Sequence, residues 1–164
     1  MHTSNLVAAW VLSAHDRLAA AGAATELGQR QAETLTLVGV HPDCSIEWLR
    51  SRIGLTQSGT VRLVDRLEDD GLVERRRSGG RAVALRVTGK GRNRLERWRR
   101  GRELVVEELL NEMPAEQGAS LVAAIESALK ARPRARAEAD RTCRTCDWPA
   151  CGGDCPVDHS VASA

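Results

Sequence analysis

Phenylalanine and tyrosine are absent from this 164-residue chain, and its whole aromatic content is four tryptophans. A core built from it must be filled mainly by Leu, Val, Ile and Ala. No apolar run approaches the roughly 20 residues needed to cross a bilayer. No basic segment precedes the apolar stretch at the N-terminus, which argues against a secretory signal. Together these absences predict a soluble, cytoplasmic protein with no membrane partner. Paired carboxylates, a phosphate loop and a Ser–His arrangement are missing as well, so the chain is not expected to be an enzyme. Net charge is also small, at +2.

That small net hides a segregation. Residues 45–102 hold 16 Lys and Arg against 7 Asp and Glu, a net of +9, whereas residues 1–44 sum to −2, 103–140 to −4 and 141–164 to −1. Concentrated positive charge on one segment is the electrostatic footprint of a duplex binder. A charge run alone reads as a solvated face; its coincidence with the following motif decides for nucleic acid.

The basic segment opens with Ser45–Gly54, a short helix capped by Ser45 and stopped by Gly54. Thr56 caps a longer helix ending at Gly71. Val61, Val64 and Leu67 recur there at helical spacing and predict its buried face. Gln57, Ser58, Thr60, Arg62 and Arg66 are expected on the opposite, polar face. From Leu72 to Val87, period-two alternation around Ser78-Gly79-Gly80 predicts a two-stranded hairpin with Arg81 at its tip. Helix, turn, longer helix and hairpin make a winged helix-turn-helix, mainly α with a small β wing.

This stretch resembles the MarR family of bacterial transcription regulators. The resemblance rests on Gly54-Leu55-Thr56-Gln57-Ser58-Gly59-Thr60-Val61, on Leu63-Val64-Asp65-Arg66-Leu67-Glu68-Asp69-Asp70-Gly71-Leu72-Val73-Glu74-Arg75, and on Val87-Thr88-Gly89-Lys90-Gly91. It extends more loosely, by helix count and order, over about residues 5–131, within a domain taken as residues 1–131. It implies a homodimeric regulator, most often a repressor, whose recognition helix enters the major groove of a near-palindromic operator. The DNA-contacting residues it implies are Thr56, Gln57, Ser58, Thr60, Arg62, Arg66 and Arg81. It also implies a DNA-binding part at 45–88 and dimerisation through 4–20 and 89–131. One departure stands out: the family's wing tip usually carries an Asp that braces its arginine, and none lies beside Arg81 here. The alternative reading, from a different class, is a winged-helix protein–protein adaptor.

Around the motif the expected helices are amphipathic. Leu6, Val7, Trp10, Val11, Ala14 and Leu18 mark a first helix, and Thr25–Val38 a second. Thr88 or Asn93 opens a long helix to about Glu112, and Leu121, Val122, Ile125 and Leu129 mark a last one. Residues 131–140, small, charged and proline-interrupted, read as a linker or a solvated helix end, with 132–142 taken as the linker to the cysteine tail.

Four of the five cysteines fall within the 13 residues from Cys143 to Cys155, spaced C-x2-C-x4-C-x3-C through Cys146 and Cys151. Residues 143–159 have no helical or strand period, and the segment is too short and polar to fold by burial; a metal would supply the missing free energy. Three readings are open: zinc held by four thiolates, an iron–sulfur cluster, or thiols that switch by disulfide formation. A zinc site has two readings, a staple that only orders the tail or a sensor; a cluster or switching thiols would make redox or metal state the effector, and a small molecule at the dimer cleft is the other partner to consider. His159 is read as a spare group, Cys44 as an ordinary small residue, and His15 and His41 as structural or solvent-facing.

Overall fold

The computed structural model describes residues 1–78 and 82–162. The described elements are α1 (His2–Ala23), α2 (Gln29–Val40), α3 (Ile46–Ile53), α4 (Gln57–Asp69), β1 (Val73–Ser78), β2 (Ala82–Val87), α5 (Gly89–Asn111), α6 (Ala115–Ala131), α7 (Arg136–Thr142), α8 (Trp148–Cys151), a 3-10 turn (Gly152–Asp154) and α9 (Pro156–His159). The fold is mainly helical with one antiparallel hairpin, as the sequence predicts. No described helix is long and apolar enough to cross a membrane.

Helix α2 is the spine. Residues 32–38 are buried without interruption, because α1, α3, α4, α5 and β2 all pack around it. Leu35, Leu37 and Val38 meet Leu49 of α3, Val64 and Leu67 of α4, and Leu85 of β2 in one aliphatic core. Trp98 of α5 is the one aromatic side chain fully inside it. A core so poor in aromatics closes because short branched side chains from five elements converge on one helix.

The boundaries follow local chemistry. Ser45 Oγ accepts from Trp48 N, Thr56 Oγ1 from Gly59 N and Thr88 Oγ1 from Gly91 N. Gly54 ends α3 at φ 68°, a left-handed conformation that side chains disfavour. The hairpin pairs Val73 with Val87 through Ser78 with Ala82. Cys44 extends it, accepting from Leu85 N at 3.1 Å while Asp43 N donates to Leu85 O at 3.0 Å.

Two expectations are corrected. The buried face of α4 is Thr60, Leu63, Val64 and Leu67; Val61 is only partly covered. The 132–142 linker is for the most part helix α7, with Ala139 and Asp140 buried against the body. Asp140 is held by Arg52 of α3, whose Nε lies 3.2 Å from Oδ2. A carboxylate buried this far is retained by its distant cation, and nothing local in the sequence announces that pairing.

The join between wing and α5 is tight. A Cβ on Gly91 would lie 2.2 Å from the Leu72 carbonyl oxygen and 2.8 Å from Val87 Cγ1. Gly91→Ala is therefore expected to lower stability by about 1–3 kcal/mol. Urea unfolding checks this, and a midpoint equal to that of the unsubstituted chain contradicts the packing described.

Candidate nucleic-acid interface and cysteine module

Helix α4 presents an exposed edge that begins at its N-terminus. Thr56, Gln57 and Ser58 are exposed there, and Arg62 and Arg66 follow along the same side. Arg66 Nε is 3.4 Å from the Arg62 carbonyl, and neither guanidinium is paired to a carboxylate among the described residues. Two of the three acids of the helix, Asp65 and Glu68, are turned to another use, and Asp69 stands exposed at its C-terminal end. Asp65 Oδ1 lies 2.5 Å from Arg75 Nη2, and Glu68 also pairs with Arg75 and accepts from its backbone amide. This clasp ties β1 to α4 and neutralises the two carboxylates that would otherwise repel a phosphate backbone. An exposed helix N-terminus adds orphan amides that favour anions.

Thr60 is not part of this edge. It is fully buried and its Oγ1 donates to the Thr56 carbonyl at 3.0 Å, so the expected base contact by Thr60 is withdrawn. Four residues past the cap, a threonine hydroxyl reaches back to a backbone carbonyl more readily than it turns outward. Arg81, the expected wing-tip contact, lies outside the described residues. On the strands, Arg86 pairs with Asp43, with Nε 2.7 Å from Oδ1; the Arg86 hydrogen bonds hold the Asp43 carboxyl below its usual range.

The second site is a small module built from α7, α8, the 3-10 turn and α9. Ala139, Cys143 and Val157 form its own minor core, with Leu129, Trp148 and Val161 packed against it. Arg134 closes the module: its side chain donates to the Leu129 carbonyl at 2.5 Å and to Ser160 Oγ at 2.8 Å. Cys143, Cys146, Cys151 and Cys155 line one cavity of about 150 Å³ together with Ala139, Trp148 and Val157. Among the described residues no three His, Cys, Asp or Glu side chains converge tightly enough for a single metal ion. His159 is exposed and does not line the cavity. A hydrogen bond from Cys143, reinforced by the guanidiniums of Arg102, Arg99 and Arg144, holds the Cys146 thiol down at about 7. The same hydrogen bond and burial drive Cys143 far up.

Sequence reasoning missed how this module docks. Arg144 Nε reaches Glu33 of α2 at 3.0 Å, and Arg99 of α5 reaches Asp147 at 2.8 Å. Arg102 donates to the Thr145 carbonyl at 2.5 Å. Trp148 meets the His41 ring edge-on at 5.3 Å, and His41 in turn packs on Trp48 of α3 at 4.6 Å. Burial lowers the His41 imidazole below its ordinary range. The runs of arginine in α5 and the lone Glu33 were visible, but only the fold brings them to residues 140–148.

Cys44 stands apart from the cavity, and burial pushes its thiol up to about 11. At pH 8 it is almost wholly protonated, so alkylation is expected to be much slower than that of free cysteine, accelerating only as pH rises toward 11. Mass-spectrometric mapping of the labelled peptide checks this, and rapid labelling at pH 8 contradicts the burial of Cys44.

Residues 25–82 match the model of the MarR family. An uncharacterised helix-turn-helix transcriptional regulator of Bacillus subtilis, YdgJ, is 29% identical over 102 residues, covering 61% of this chain and 62% of that protein; the chain thus spans less than two thirds of that relative's length. The apo form of MarR from E. coli superposes with a TM-score of 0.65 at 19% identity, over 77% of this chain and 96% of its own. FabT of Streptococcus pneumoniae, solved in complex with DNA, superposes with a TM-score of 0.52 at 24% identity, over 60% and 71%. The family match, the regulator homologue and the shared fold agree with the helix order described above: residues 25–82 match the MarR family, and the fold around them is that of a winged helix protein.

Proposed function

We propose that this protein is a cytoplasmic, homodimeric, sequence-specific DNA-binding regulator that acts as a repressor, with its cysteine module as the input for metal or redox state. The observation that carries the reading is the division of charge on α4. Asp65 and Glu68 are clasped by Arg75, while Gln57, Ser58, Arg62 and Arg66 stand exposed on the leading edge. Gln57, Ser58 and Arg62 would address base edges in the major groove, and Arg66 a phosphate. FabT, of the same fold, is seen with DNA, which supports this placement.

The dimer reading rests on apolar surface. Leu6, Val7, Trp10, Val11 and Leu12 on α1 are between 40% and 63% exposed, as are Leu104 and Val106 on α5 and Val122 and Ile125 on α6. Clustered apolar side chains on both terminal regions are what two interlocked copies would bury. Such a dimer sets two recognition helices about one DNA turn apart and favours a near-palindromic operator. The input reading rests on docking: α7 packs on α3, the first helix of the helix-turn-helix. A change in the module would shift the population between binding and non-binding dimers.

Arg62→Ala is expected to fold normally and lose about 1–3 kcal/mol of operator affinity, with relaxed sequence preference. Arg66→Ala is expected to weaken all duplexes alike and reduce the salt slope by about one. Binding isotherms at several salt concentrations read both; unchanged isotherms overturn the docking, and salt-insensitive or absent duplex binding favours a protein–protein adaptor. Trp10→Glu is expected to shift the dimer toward monomer in sedimentation equilibrium and to weaken operator binding with it; an undisturbed dimer would remove α1 from the interface.

A further inference from the structure

The four cysteines surround a space, and the size of that space bears on what they hold. A zinc ion closed by four thiolates sits about 2.3 Å from each sulfur, so the sulfurs pack around a point. Here they line a cavity of about 150 Å³, roughly five times a water's share of liquid volume. Cys143 is within hydrogen-bond reach of Cys146 and Cys155, and Cys155 of Cys151, so all four sulfurs face the one cavity and can each be given to a body with several metal atoms.

The surroundings agree with a bulky, negatively charged occupant. Ala139, Trp148 and Val157 give the cavity an apolar side, while Arg99 and Arg102 hold the Cys146 and Thr145 carbonyls at 3.2 and 2.5 Å. Arg136 and Asp158, paired at 2.7 Å, also line the cavity. Cys151 is exposed, which leaves an open route for assembly.

We propose that Cys143, Cys146, Cys151 and Cys155 bind an iron–sulfur cluster rather than a single zinc ion, and that loading locks α7 and Trp148 against the helix-turn-helix. The second half rests on the reading of this protein as a DNA-binding regulator; the first does not. Each thiol exchanges its S–H bond for an S–Fe bond and releases its proton; ferrous iron, ferric iron and sulfide all come from outside the chain, so the mixed-valence cluster assembles with no electron taken from the protein. Two routes lead from the cavity to α3. Ala139 and Cys143 wall the cavity from α7, while the adjacent Asp140 accepts from Arg52 of α3. Trp148 lines the cavity and abuts His41, which packs on Trp48.

The test uses the full chain purified without oxygen and incubated with ferrous and ferric iron plus sulfide, or with zinc alone. Expected are iron and acid-labile sulfide in about equal amounts, at least about two of each per chain, with a brown visible spectrum. Cys146→Ser and Cys155→Ser are expected to lose the colour while Cys44→Ser keeps it. Circular dichroism checks that the colourless variants retain their helices. Zinc at one per chain with no uptake of sulfide, or iron without sulfide, overturns the cluster. Loading is further expected to change the Kd for duplex DNA by about tenfold, and Asp140→Asn to keep the colour but lose most of that change. Equal affinity of loaded and unloaded protein overturns the coupling while the iron count stands. Failure of both forms to bind duplex defeats the regulator reading and leaves the cluster decided by its own count.

Discussion

A buried carboxylate on the central helix ties the two halves of this molecule together. Glu33 is 1% exposed in the middle of α2, where an isolated charge would cost several kcal/mol. Its Oε2 is matched by Arg30 of the same helix at 2.8 Å and its Oε1 by Arg144 of the cysteine module at 3.0 Å. Arg30 also donates to the Ile53 carbonyl at 2.9 Å, so the pairing reaches the end of α3 as well. The aliphatic core around α2 is thus closed on one side by ions, and one of those ions belongs to the module. Detaching residues 140–148 would leave Glu33 with a single cation and reopen the spine of the fold to water.

The recognition helix depends on a second ionic device of the opposite kind. Arg75 accommodates two carboxylates at once and is itself only partly exposed. Its attachment to α4 fixes the angle between recognition helix and wing. Lys90 adds a further tie, donating to the Asp70 carbonyl at 2.7 Å, and Thr88 donates to the Gly71 carbonyl at 2.7 Å. Helix, hairpin and the start of α5 therefore move as one body, which is what a surface must do to present groups to base edges and phosphates together.

What was legible in the sequence was whatever local chemistry decides. Ser45, Thr56 and Thr88 cap the helices they precede, and Gly54 and Gly71 take positive φ where the chain must turn. The order and type of the elements through α6 follow from period and caps alone. Thr60 was misplaced because a hydroxyl is polar by composition yet satisfied by its own backbone. That residues 136–142 form a helix docked on the body escapes the sequence for a different reason. Seven residues of α7 bury only Ala139 and Asp140, and Asp140 is held there by Arg52, 88 positions earlier. Pairings of that range leave no pattern in a window of ten or twenty residues.

The cysteine module joins both lessons. Its helices α8 and α9 are four residues each, far below the length at which a helix persists by itself, and its minor core holds three buried residues. Such a segment keeps its shape only through docking on the body and through whatever joins its thiols. Those two sources of order are linked. Any state of the cavity that stiffens residues 139–157 also lowers the entropic cost of the contacts of Arg144 with Glu33, Asp147 with Arg99 and Asp140 with Arg52. By reciprocity, a body held in one arrangement strengthens the cavity's hold on its occupant by the same factor. A domain that bound duplex in only one arrangement of α3 and α4 would then report the state of four sulfurs that lie outside its own DNA-facing edge.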